Sequence, residues 1–147
     1  MPAAWSTVGP LNALVTLLGT LSGSGLQTVY TGVPESFSHQ VSAYVTAGAQ
    51  EISNKTTGGL MQREQSYRVV FAYAVDKAEA TAETTVCALI DAFVNAVFAD
   101  RTLGGTLEAL VVDASGADDP VYIRVSGEEI RSYVVVIRGT QRKTFSV

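Results

Sequence analysis

The chain has one cysteine, one histidine and no long hydrophobic run, and each shortage excludes a class of protein. With Cys87 alone, no intramolecular disulfide is possible, so stability has to come from a core. Cys87 falls among apolar neighbours in a helical pattern, where a small buried hydrophobe is expected rather than a nucleophile. A zinc site needs several Cys or His ligands, and one of each cannot furnish it. His39 sits in Glu35-Ser36-Phe37-Ser38-His39-Gln40. Serines and a glutamate beside it in sequence do not make a nucleophile–base–acid geometry, which is assembled in space. The longest apolar stretches, 11–21 and 87–99, are short and interrupted by Asn12, Thr16, Asp91 and Asn95, so neither reads as a bilayer span. The opening Met-Pro-Ala-Ala-Trp has no basic leader and no apolar signal core, and the expected compartment is a cytoplasm.

Charge is scarce too. Charged residues make up 16% of the chain and apolar residues 47%, the composition of a globular protein and not of a disordered one. The 147 residues fit one domain, 1–147. A chain of this size buries roughly 68–70% of its extended-chain surface, enough for one core. The net charge of −4 disfavours coating nucleic acid, whose affinity comes mainly from neutralising phosphates. The charge is unevenly spread. Residues 76–119 hold Lys77 and Arg101 against nine acids, and residues 120–147 hold five basic side chains against Glu128 and Glu129. Segments of opposite sign can meet head to tail between identical subunits, the contact that closes rings, or can neutralise each other within one fold.

Other binding signatures are also missing. The acidic run Asp113-Ala114-Ser115-Gly116-Ala117-Asp118-Asp119 offers oxygen donors for a hard cation, but its spacing is not that of a calcium loop, and it reads as a solvated hairpin tip. Gly23-Ser24-Gly25 follows a helix instead of a strand, which fails the dinucleotide fingerprint. No Walker-type glycine loop occurs, and no cofactor or metal is expected. Tyr44, Tyr67 and Tyr73 belong more naturally to a core face than to a base-stacking platform, for no basic stripe lies beside them.

What is present is patterning. Val8, Leu11, Leu14, Val15, Leu18 and Leu21 recur at helical spacing over 6–22, with Pro10 in the first turn and Ser22-Gly23-Ser24-Gly25 as the stop. Residues 26–31 read as a short strand, and Val41, Ala43 and Val45 alternate with polar residues as a half-buried strand does. Tyr67, Val69, Phe71, Tyr73 and Val75 place a bulky aromatic face on a further strand. Its other face, Arg68, Val70, Ala72 and Ala74, is too apolar for an ordinary wet face and is expected to be covered by a neighbouring subunit. Residues 48–65, between these two strands, exceed the usual hairpin link and read as a partner-contacting loop that orders on assembly. The alternative is an extended hairpin whose strands run in from both ends, leaving a shorter turn near Thr57-Gly58-Gly59.

Asp76 and Glu79 form a capping-box-like pair, and Ala82, Val86, Leu89, Ile90, Phe93, Val97 and Phe98 then make one wide apolar stripe. Gly104-Gly105 turns the chain out. Residues 106–113, 120–126 and 129–138 read as strands, the last Val-rich on both faces and therefore central in its sheet. The expected fold is α+β, a mostly antiparallel sheet of about five strands with two helices packed on one face.

Several of these segments, in this order, resemble the tail terminator (tail completion) proteins of long-tailed bacteriophages. They are the N-terminal helix, Val29-Tyr30-Thr31-Gly32-Val33-Pro34, the following strand and link with Asn54-Lys55-Thr56, the strand Tyr67–Val75, the helix with Leu89-Ile90-Asp91-Ala92-Phe93, Leu103-Gly104-Gly105, and Arg131-Ser132-Tyr133-Val134-Val135-Val136. The resemblance implies a structural virion protein and not an enzyme. It implies a homo-oligomeric ring, usually a hexamer, at the tail–neck junction, assembled in the bacterial host cytoplasm. There it ends tube polymerisation and joins tail to head, with the tail tube protein and head–tail neck proteins as partners and neither membrane nor sequence-specific nucleic acid. By position, Lys55, Arg63 and Glu64 are expected to touch the tube or the adjacent subunit, and Arg101 to make a subunit contact. Another neck component, a connector or stopper, shares the class. A small α+β enzyme using His39 and a carboxylate, or a ligand-binding module, are the alternatives from other classes.

Overall fold

A computed structural model describes residues 6–21, 26–34, 41–54, 60–75, 82–107, 109–112, 121–125 and 128–144. The elements are α1 (Val8–Gly19), β1 (Leu26–Thr31), β2 (Val41–Asn54), β3 (Leu60–Ala74), α2 (Ala82–Ala99), β4 (Ala109–Val112), β5 (Val121–Val125) and β6 (Glu128–Thr144). The sheet runs β1-β2-β3-β6-β4, with β5 also on β6. Only β1 and β2 are parallel; every other pair is antiparallel. Because β3 occupies one edge of β6 from 130 to 144, β4 and β5 share the other, β4 along 137–140 and β5 along 128–132. Six strands therefore fill five positions. The α+β class, the mainly antiparallel sheet and the central place of β6 agree with the sequence pattern.

Alternation builds the core. Tyr67, Val69, Phe71 and Tyr73 of β3 join Ala43 and Val45 of β2 and Val135 and Ile137 of β6. Leu14 and Leu18 of α1 and Val86, Leu89, Phe93 and Val97 of α2 complete the same cluster. The Phe71 and Phe93 rings meet edge to face with centroids 5.9 Å apart, a geometry that suits the quadrupoles of aromatic rings. Each large apolar side chain buried here contributes about 1.5–3 kcal/mol. By length and apolarity alone α2 could cross a membrane, but it lays this stripe into the core.

Two expectations about the core need correction. Cys87 is exposed, and Phe98 is 51% exposed. The inward residues Ala82, Val86, Leu89, Phe93 and Val97 step by three and four, and Cys87, one residue past Val86, is turned away by about 100°. The buried stripe is narrower than the apolar run of the sequence. The small face of β3 is also not left for a neighbour to cover. Val70, Ala72 and Ala74 are buried within this chain, in a second cluster with Tyr44, Ile130 and Val134.

The link at 48–65 is the third correction, and the extended-hairpin alternative holds. β2 continues to Asn54 and β3 begins at Leu60, so only residues 55–59 lie between them. The strand is hidden in the sequence by a bulge. Ala47 pairs with Tyr67, but the next register pair is Gln50 with Gln65: three residues advance on β2 against two on β3. Alternation therefore reverses past Gly48 and Ala49, and a period-of-two search stops there. Gln65, 4% exposed, fills the bulge. Its Nε2 donates to the carbonyls of Gly48 (2.7 Å), Ser66 (3.1 Å) and Ala49 (3.4 Å), supplying the donor the interrupted ladder lacks.

The turn after α2 follows the expected Gly104-Gly105 exit. Both glycines have positive φ, 67° and 87°, where side chains are disfavoured, and the Asp100 carboxylate accepts from Gly104 N at 2.9 Å. The capping pair Asp76 and Glu79, His39 and the acidic turn 113–119 lie outside the described residues.

Candidate assembly surface

The four charged residues singled out from the sequence do not converge. Lys55 lies outside the described residues. Arg63 is not on a loop: it lies inside β3, is 5% exposed and pairs in register with Ile52 and Gln141. Its guanidinium Nη1 donates to Thr7 Oγ1 at 3.1 Å and to Gln50 Oε1 at 3.4 Å. Beside it, Tyr67 donates to the Thr7 carbonyl at 3.0 Å, and Gln141 brackets Ser6 by accepting from its N–H (3.1 Å) and donating to its carbonyl (2.6 Å). Arg63 thus helps clasp the start of α1 onto the sheet, which takes it out of reach as a surface contact on the isolated chain. Burial raises the Tyr67 hydroxyl to about 12, with the charge of Arg63 pulling the other way.

Glu64 follows Arg63 and so faces the other side of the strand. It lines a shallow groove of about 290 Å³ with Ala49, Gln50, Glu51, Ser66 and Arg138. A second groove on the same side, about 280 Å³, is lined by Val33, Tyr44, Thr46, Arg68, Val70, Ser132 and Val134. This side of the sheet therefore runs from apolar (Val70, Val134) to charged (Arg68, Glu64, Glu51, Arg138). Arg101 is exposed on the turn after α2, its guanidinium carbon 5.4 Å from the centre of the Phe98 ring.

The sequence reading missed one polar cluster. Glu83, in the first turn of α2, takes a two-pronged ion pair from Arg131, with Nε 3.0 Å from Oε2 and Nη2 3.1 Å from Oε1. Tyr73 donates to Oε2 at 2.8 Å, Tyr133 donates to Oε1, and Arg131 also donates to the Tyr133 hydroxyl. Burial on its own would raise the Glu83 carboxyl. The hydrogen bonds from Tyr133, Arg131 and Tyr73, with the charge of Arg131, outweigh it and hold the group below its ordinary value. Tyr73 and Tyr133 are pushed up, first by burial and then by their bonds to Glu83. Neither hydroxyl is set to ionise near neutrality, and the carboxylate is occupied by donors. The arrangement ties α2 to β3 and β6. In sequence, Tyr73 reads as core, and nothing local connects Glu83 to Arg131, 48 residues further on.

No group of three or more His, Cys, Asp or Glu side chains suited to a metal occurs among the described residues. Set against known proteins, the chain matches no family model and no curated relative.

Proposed function

We propose that this chain is a tail-completion protein: a subunit of a ring that caps a phage tail tube, ends its polymerisation and presents a surface to the neck. The work is done by shape and charge complementarity, with no bond made or broken. The observation that supports this reading is the match between the segments that carry the resemblance and the architecture they build. Those segments become α1, β1, β2, β3, α2, the Asp100–Gly105 turn and β6, in one mostly antiparallel α+β domain of the kind the resemblance implies. The charged, shallow side of the sheet suits contact with other protein surfaces. Glu51, Glu64 and Arg138 line one of its grooves and Arg68 the next, so it offers charges of both signs to a partner.

The test is assembly itself. Purified protein is expected to form closed rings in negative-stain images and by solution mass, and to arrest elongation when added to polymerising tail tube protein of the same phage. A strictly monomeric chain at high concentration that leaves tube length unchanged would overturn the proposal. Rings that bind the filled head but leave tube growth untouched would mean a connector or stopper instead.

A further inference from the structure

Among the described residues, one row of the sheet has no strand paired on either outer edge. Register pairs set residues 47–51 of β2 level with 64–67 of β3, 137–140 of β6 and 109–112 of β4. β1 pairs β2 only as far as Val45, with one more bond from Gly32 N to the Val45 carbonyl. Among the described residues, no strand pairs β2 beyond that point on its outer side, and none pairs β4 on the side away from β6. Residues 47–52 are exposed, and Val111 on β4 is 62% exposed.

Open edges are templates for pairing, and soluble proteins blunt them with lysine, proline, bulges or covers. The stretch Thr46-Ala47-Gly48-Ala49-Gln50-Glu51-Ile52-Ser53-Asn54 has neither Lys nor Pro, and Ala109-Leu110-Val111-Val112 has no charge at all. The β2 edge carries a bulge at 48–49 and one charge, Glu51, and the β4 edge is blunted only by its four-residue length. Strand polarity then says what fits. β2, β3, β6 and β4 alternate in direction, so β2 and β4 run opposite ways. A second copy set beside the first with its strands in the same sense brings its β2 antiparallel to the first copy's β4. Rotation about an axis along the strands produces that placement, and repeating it closes a ring.

We infer that β4 of one copy docks on the free edge of β2 of the next, joining neighbouring sheets into one continuous antiparallel sheet. This rests on the ring proposed above and names the surface that closes it. The competing arrangement pairs β2 with β2 about a two-fold axis. It would leave β4 and Val111 open and stop at two copies, whereas the head-to-tail joint leaves neither edge open in a closed ring.

Side-chain faces give the test. Val111 pairs with Arg138 and Arg138 with Ser66, while Glu51 pairs with Glu64, so Val111 and Glu51 share the groove side. Ile52, opposite Arg63, lies on the other side. Ala49, on the groove side beside Ser66, is the β2 residue level with Val111, so in a full-length Cys87→Ser background Val111→Cys with Ala49→Cys should form disulfides between subunits on mild oxidation, seen as a ladder on non-reducing gels. Val111→Cys with Ile52→Cys should not. Separately, Val111→Lys should raise the concentration for half-assembly by at least about tenfold, a cost of about 1.4 kcal/mol per contact. Val8→Lys, at a position equally exposed on α1, should leave it unchanged. Rings that form normally with Val111→Lys and give no ladder overturn the joint and leave the ring proposal standing. A dimer that grows no further and cross-links through Ala49→Cys alone overturns it in favour of the two-fold pairing. A chain monomeric at every concentration removes both.

Discussion

Gln65 offers the sharpest check on the fold. Its side-chain amide is the donor that closes the bulge in β2, and it is 4% exposed. Three carbonyl oxygens surround Nε2, so the amide can be placed only with nitrogen inward. Gln65→Leu keeps the bulk and removes the donor. The carbonyl of Gly48, at 2.7 Å, then loses its partner, as does the side-chain bond to Ser66. A buried group left unsatisfied costs about 1–3 kcal/mol, so a loss near 2 kcal/mol is expected. In a domain of this size that lowers the melting temperature by about 4–8 °C. Gln65→Glu should be worse at neutral pH, because an ionised carboxylate is acceptor-only and faces three acceptors. Burial and those carbonyls push such a carboxyl above its ordinary range, since both disfavour the charged form. With the folded-state value raised above the unfolded one, the deficit is smallest at acid pH, where the protonated acid can donate, and grows as pH rises through the unfolded value of about 4.3. Urea unfolding of wild type and both variants from pH 4 to pH 8 checks this. A Gln65→Leu variant within about 0.5 kcal/mol of wild type, or a Gln65→Glu variant with no pH dependence beyond wild type, would refute the account of the bulge.

Two further outcomes follow from the same structure. Glu83→Gln should destabilise by about 1 kcal/mol, between the value of an exposed pair and a buried one, because the Arg131 side chain is 20% exposed and that of Glu83 46%. The folded-state carboxyl is held low, so this contribution is present above the unfolded-state value and lost as pH falls through the folded one. The variant should therefore show a flatter acid limb in stability measured against pH, and an unchanged limb would contradict the assignment. Gly139→Ala should cost about 1–3 kcal/mol by overpacking, since a Cβ there would lie 2.7 Å and 2.8 Å from the two methyls of buried Leu107. Pairing it with Leu107→Val in a double-mutant cycle should recover part of the loss, and strict additivity would argue against the contact.

The aromatic face of β3 and the inward stripe of α2 were readable as periodicities because burial on one side imposes a period of two on a strand and of 3.6 on a helix. β6 announced its central place through Val134, Val135 and Val136, since a strand paired and packed on both sides has no need of polar alternation. β2 beyond Ala47 was not readable, for one extra residue at a bulge reverses the alternation while the strand continues. Arg63 illustrates the same limit: a charged residue in an apparent loop reads as surface, and only the return of α1 over the sheet, bringing Thr7 to its guanidinium, makes it interior.

By itself the sequence determined the class of the fold, the absence of a disulfide within the chain and the faces of its clearest elements, because these follow from composition and local period. Tertiary structure alone decided that Cys87 faces outward, that Glu83 finds Arg131 across 48 residues, and that β2 and β4 are the outermost strands of one row among the described residues. Each of these depends on which segments lie side by side. Local pattern carries no record of that, for partners are chosen by the packing of the whole chain.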